Sequence, residues 1–248
     1  MLTAGVTAGA VRFPDSRTDQ VIGVTVQVQP RSWLSFGAVP GVGRTTYGDA
    51  SEAGLTDLPL WARTRYEASK LAWSPSVWAT TYANLPTSGA SSLGVGTTSL
   101  GVSVGVGAEP QTGNFLYLDG SRSLTSGAGN GWIEFEGAKW VGPVTASISF
   151  SGEVGQIDPG TVAYRSVAGG VLMRIADPLM LTVDASRGLS ASAPTWSFSV
   201  GVGTALAGLP GMGAGSPLGR LRNLFGPKLA AGSGFTRKPK RGQLVRGG

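Results

Sequence analysis

The chain has 248 residues, with 40 glycines, 15 prolines, no cysteine and no histidine. These absences exclude disulfides, thiolate or imidazole metal sites, and Ser-His-Asp or Cys-His catalysis. The net charge of +6 is uneven: residues 216–248 hold 8 basic side chains and no acidic one, leaving 12 basic against 14 acidic in residues 1–215.

Apolar residues make up 41% of the chain, and they alternate, which is the period of a strand with one apolar face. No positively charged segment followed by a long apolar core precedes the first strand-like text, so no export signal is expected in this sequence and its start is expected to be truncated. In chain order the alternation predicts twelve strands near 5–13, 20–29, 31–40, 58–67, 70–83, 98–108, 114–121, 131–139, 144–152, 162–175, 179–187 and 195–206. Ile22, Val24, Val26 and Val28 face one way, with Gly23, Thr25, Gln27 and Gln29 opposite. Leu100 to Val106, Val144 to Phe150 and Leu179 to Ala185 repeat the pattern, with Ser, Thr, Gly or Asp, and once Met180, on the second face. Pro75 inside the fifth window predicts a bulge or break there. The most apolar stretch, 167–183, carries Arg174, Asp177 and Pro178, so it does not read as a spanning helix, which needs about 20 apolar residues.

Connections near 29–32, 67–70, 108–114, 139–143 and 176–178 are short. Those near 40–57, 84–97, 121–131, 152–161 and 187–194 are longer and rich in Gly, Ser, Pro and Asp. Alternate connections of an up-and-down sheet share an end, so one rim carries turns and the other loops, as in outer-membrane barrels. Closure has a physical motive, because an open edge in lipid leaves backbone groups unpaired. The expected fold is an all-β, up-and-down antiparallel transmembrane β-barrel of about twelve strands over residues 1–207. It would lie in the outer membrane, with both termini periplasmic. Residues 208–248 read as a Gly/Pro-rich, basic, disordered tail. A soluble β-sandwich is the competing architecture; it would turn the same apolar face inward.

On the barrel reading the second face lines the lumen. Its candidates are Gln27, Arg63, Arg65, Glu67, Glu134, Glu136, Arg174 and Asp184. They form either a charged constriction or an internal salt-bridge network. Glu134 and Glu136 have the residue types of a glycosidase pair but no further machinery, so no enzyme is expected. Trp33, Trp61, Trp132, Trp140, Trp196, Tyr47, Tyr66 and Tyr82 lie near strand ends, where interfacial girdles form; Trp33 and Trp61 fall on the inward parity. The Gly94-Val95-Gly96 and Gly201-Val202-Gly203 stretches lack the strand–loop–helix setting of a phosphate loop. No cofactor, metal or nucleic acid is expected. The expected partners are outer-membrane lipid, the barrel-assembly machinery and small apolar or aromatic solutes.

Three segments carry a resemblance: Gly54-Leu55-Thr56-Asp57-Leu58, Asn84-Leu85-Pro86-Thr87-Ser88-Gly89 and Leu93-Gly94-Val95-Gly96-Thr97. In order and spacing this part of the chain resembles the Gram-negative outer-membrane family of meta-pathway phenol-degradation transporters. Thr56 stands where that family has glycine, and Ser88 intervenes before Gly89. The resemblance covers residues 54–108 and implies a barrel that passes small apolar or aromatic compounds. The alternative function is a structural or surface-interaction barrel with a closed lumen.

Overall fold

The computed structural model describes residues 2–205 except 69–70, 72, 89–92, 95–96, 112, 126–129, 142–143, 156–162, 164, 177–178 and 192. The expected tail of 208–248 lies outside the described residues. Among them every regular element is a strand: β1 (Leu2–Arg12), β2 (Thr18–Arg31), β3 (Leu34–Ala38), β4 (Gly41–Tyr47), β5 (Ala50–Leu55), β6 (Leu58–Glu67), β7 (Ser76–Leu85), β8 (Ser99–Gln111), β9 (Asn114–Ser123), β10 (Asn130–Val141), β11 (Val144–Gly155), β12 (Arg165–Arg174), β13 (Leu179–Gly188) and β14 (Trp196–Ala205).

The sheet closes on itself. β1 pairs antiparallel with β2 on one side and with β14 on the other, the latter from Thr3↔Ala205 to Arg12↔Trp196. Fourteen segments make twelve strands, because β3 continues into β4 and β5 into β6. Pro40 lacks the N–H that would carry the ladder through, but its carbonyl accepts from the Val24 N–H. Val39 donates to the Pro59 carbonyl and Thr56 to the Gly41 carbonyl, so pairing spans both breaks.

Here the sequence expectation is corrected. Residues 40–57 are not a loop; β4 and β5 form a hairpin that prolongs two strands beyond the main rim. Its two-residue turn sets Gly48 at φ +56°, the left-handed geometry such hairpins favour. The fifth strand begins at Ser76, not 70, since Pro75 stands just before it and the chain turns at Trp73 and Ser74, both at positive φ. The tenth is described from Arg165, and its expected start at 162 lies outside the described residues.

The parity is as expected. Ile22 and Ile148 are 51% and 52% exposed, and Val24, Phe36, Leu118, Phe135 and Phe150 are exposed beside them. Thr3, Thr25, Gln27, Thr80, Thr145, Ser149 and Thr182 are buried on the inner face. A sandwich would show the reverse. Connections at 31–34, 67–76, 111–114, 141–144 and 174–179 fall at one end. Those at 85–99, 123–130, 155–165 and 188–196 fall at the other, with the β4–β5 hairpin. Both ends of the barrel chain, Leu2 and Ala205, lie at the short-turn end.

Candidate functional site: the lumen wall

The inner face is divided by chemistry. On β6 to β9 it carries Trp61, Trp78, Tyr82, Phe115 and Tyr117; on β11 to β14 and β1–β2 it is mostly Ser, Thr and Gly. The aromatic rings do not stand out into the lumen. Inward positions of β8 are Gly101, Ser103, Gly105 and Gly107, and a Cβ at Gly101, Gly105 or Gly107 would collide with the ring of Tyr82, Trp78 or Tyr117 respectively. Trp78 lies across Gly105 and donates its indole N–H to Asp119 Oδ2 on β9 at 2.8 Å. Trp61 lies on Gly37 in the same way. Tyr117 packs against Trp78 at 6.1 Å between centroids and stacks on Phe115 at 6.5 Å. A strand of alternating glycines thus provides the floor on which neighbouring rings lie flat.

Toward the short-turn end Phe115, Ala138 and Leu172 bury one another, joined by Tyr117 and Met180. These residues come from β9, β10, β12 and β13, so an apolar cluster stands inside the barrel.

The charged candidates are placed on the wall. Arg65 and Glu67, two apart on β6, form an ion pair at 3.0 Å. Arg63 donates to Thr80 Oγ1 at 2.8 Å, and its guanidinium sits 5.7 Å from the Trp61 ring centre. The cross-strand row Arg65–Trp78–Gly105–Asp119–Glu134 sets basic groups on β6 and acidic ones on β9 and β10. Glu136 is buried, Glu134 and Asp184 are half-buried, and none of the three stands unpartnered. Asp184 sits over Gly170. Gln27 is buried next to Gly37. Arg174 is exposed at the short-turn rim. Among the described residues, the buried Gln27 Oε1 and the Thr3 and Thr7 hydroxyls have no protein hydrogen-bond partner.

Several side chains depart from the expected placement. Trp61 and Tyr82 line the lumen and do not join a girdle, whereas Trp33 is exposed at a turn and not inward. Trp33, Tyr66 and Trp73 are exposed at the short-turn end, and Tyr47 and Trp196 at the other; the side chains of Trp132 and Trp140 lie outside the described set. Sequence reasoning missed Trp78, Asp119, Phe115 and Tyr117, although glycine at alternate inward positions of β8 was a visible sign of close approach. It also missed Arg17 and Asp19 at the 13–17 turn. Both are buried, bonded at 2.9 Å and 2.5 Å, with the guanidinium 4.8 Å from the Phe13 ring centre.

The three segments that carried the family resemblance meet at the long-loop end. Thr87 donates its hydroxyl to the Thr56 carbonyl at 2.9 Å, and Ser88 its N–H to the buried Asp57 carboxylate at 3.3 Å. Gly94 packs so closely on Asp57 and Ser88 that a Cβ would clash with both. Leu93, 4% exposed, sits on Gly43 and Thr56. Thr87, Ser88, Leu93 and Gly94 are therefore fastened to the base of the β4–β5 hairpin at Gly43, Thr56 and Asp57.

This geometry is that of a closed, twelve-stranded antiparallel β-barrel with an apolar outer face. An outer-membrane channel from Pseudomonas putida F1 superposes with a TM-score of 0.65 at 16% identity, over 82% of this chain and 94% of that one. The KdgM porin in complex with disordered oligogalacturonate gives 0.57 at 6% identity over 82% and 99%, and the CymD monoaromatic hydrocarbon channel 0.51 at 8% identity over 84% and 89%.

 An outer-membrane phospholipase A from Escherichia coli also superposes at 0.51, with 10% identity over 82% and 90%. No family model and no curated protein matches the sequence. At these identities the likeness concerns the fold alone, and a fold shared by channels and a phospholipase does not decide function.

Proposed function

We propose that the protein is a passive outer-membrane channel for small apolar or aromatic molecules. The observation that carries this reading is the set of inner rings Trp61, Tyr82, Trp78 and Tyr117, laid flat on Gly37, Gly101, Gly105 and Gly107, with Phe115 stacked on Tyr117, opposite a hydroxyl-rich wall. Such a surface offers a weakly polar solute ring contacts on one side and hydrogen bonds on the other, with no single deep site to hold it. The apolar Phe115–Ala138–Leu172 cluster supports selection against ions, since an apolar constriction is poorly wetted. The resemblance to phenol-degradation transporters points to the same class of permeant. On this reading the exposed apolar belt faces lipid, the termini are periplasmic, and insertion uses the barrel-assembly machinery.

Proteoliposome flux tests the proposal, with phenol and toluene compared against a neutral sugar. Aromatic solutes are expected to pass faster than through protein-free vesicles, and Trp78→Ala to slow them. Absence of flux for every solute would refute the channel. It would favour the second reading, a closed structural barrel, for which the same buried Phe115–Leu172 cluster speaks.

A further inference from the structure

Charge on the outward-facing positions is distributed unequally between the two ends. Near the long-loop end, Arg12, Arg44, Arg122, Arg165 and Arg187 all lie on the outward parity of their strands. At the other end the outward charges on described strands are Lys139 and Arg31, the latter set outward by the bulge that pairs it with Leu34. Among the described residues none of the five arginines is in an ion pair. Arg12 donates to the Thr18 hydroxyl at 2.7 Å and Arg44 to the Ser51 hydroxyl at 3.4 Å, which fixes their direction without neutralising them.

Three of these residues share one patch. Trp196 on β14 is directly opposite Arg12 on β1 and Arg187 on β13. With neighbouring strands about 4.8 Å apart, the two arginines flank the indole with roughly 10 Å between their backbones. Arg165 lies on the next strand, two residues beyond Val167, the partner of Arg187. Toward the barrel's middle the patch turns apolar at once: Phe198 is exposed, and its cross-strand neighbours are the small Ala10 and Ala185. The same chemistry recurs at Arg122, which borders an outer groove of about 300 Å³ formed where Gly120 and Gly131 leave space between Val104, Ile133 and Val154.

We infer that the Arg12–Trp196–Arg187 row, with Arg165, is a binding site for a bisphosphorylated, multiply acylated glycolipid of the outer leaflet. The guanidinium forks take the phosphates, the indole sits at the headgroup boundary, and acyl chains lie beside Phe198 over the two alanines. Among the described residues the outward strand positions near this rim carry positive charge and no carboxylate, which matches an anionic headgroup layer, and arginine on the lipid-facing side costs least near the interface. The inference rests on the outer-membrane reading with the long loops outward, and it does not depend on what the lumen conducts.

The test uses the full chain folded in a nonionic detergent, with retained lipid counted by native mass spectrometry. Three probes are compared: bisphosphorylated lipid A, the same lipid stripped of its phosphates, and phosphatidylglycerol. Only the first is expected to be held, and about tenfold more weakly by Arg12→Gln/Arg187→Gln, while Lys139→Gln behaves as wild type. Equal retention by the double variant, or equal retention of either other lipid, would overturn the inference. If the double variant does not fold, salt decides with the wild type: retention should fall as ionic strength rises, and salt-independent retention is a refutation. Flux measured on the same preparations separates the two ideas. Lost lipid selectivity with intact flux removes this site alone, and lost flux with intact lipid selectivity removes the channel alone.

Discussion

Ile148→Arg tests the orientation of the whole barrel. Ile148 is the fifth residue of β11, exposed, with Gly137 and Gly169 as its cross-strand partners, so no neighbouring side chain screens a new charge. It lies four residues from the nearer strand end, about 13 Å along the strand. An arginine on the lipid face of a barrel costs about 2–4 kcal/mol at the midplane. Partial snorkelling toward the rim lowers this to about 2 kcal/mol, a factor of roughly 30 in the folding equilibrium. The measurement is reversible unfolding by guanidinium in phosphatidylcholine vesicles, followed by tryptophan fluorescence. If the face looked into water, the same substitution would stay within about 0.5 kcal/mol of wild type. A change that small, with an unaltered denaturant slope, would refute the lipid-facing assignment.

Two further outcomes follow from buried polar contacts. Arg17→Met leaves Asp19 as a buried, unpaired carboxylate and should destabilise the barrel by about 3–5 kcal/mol, whereas Arg17→Met/Asp19→Leu should recover most of the loss; equal losses in both, on the same unfolding assay, would contradict the pairing. Asp57→Ala removes the acceptor that fastens Ser88. Limited proteolysis within residues 86–98 should then accelerate while the barrel body stays resistant, and an unchanged cleavage rate would show that the loop is held by other means.

The lumen candidates illustrate how far local pattern reaches. Arg63, Arg65, Glu67, Glu134, Glu136 and Asp184 occupy the inner face as alternation requires, because in a strand successive side chains must point to opposite sides. Their partners were not legible. Arg65 pairs along its own strand with Glu67, and Asp119 is bonded by Trp78 from two strands away; the second contact depends on the register of β7, β8 and β9, which no single strand specifies. The β4–β5 hairpin escaped for another reason. Gly48-Asp49 between alternating stretches is a hairpin signal, but the segment's glycine content and its place in the short–long order favoured a loop.

What the sequence alone determined is the one-dimensional part: twelve crossings, which face of each is apolar, which connections are short, and the absence of thiol and imidazole chemistry. Those are local properties, set by the two-residue period of the backbone and by side-chain polarity. Only the closed sheet decided the rest, namely that β1 finds β14, that β8's glycines lie under Trp78, Tyr82 and Tyr117, and that Arg12 and Arg187 come to flank Trp196. These juxtapositions join residues up to about 200 positions apart, and they exist only once cross-strand hydrogen bonds have fixed the register.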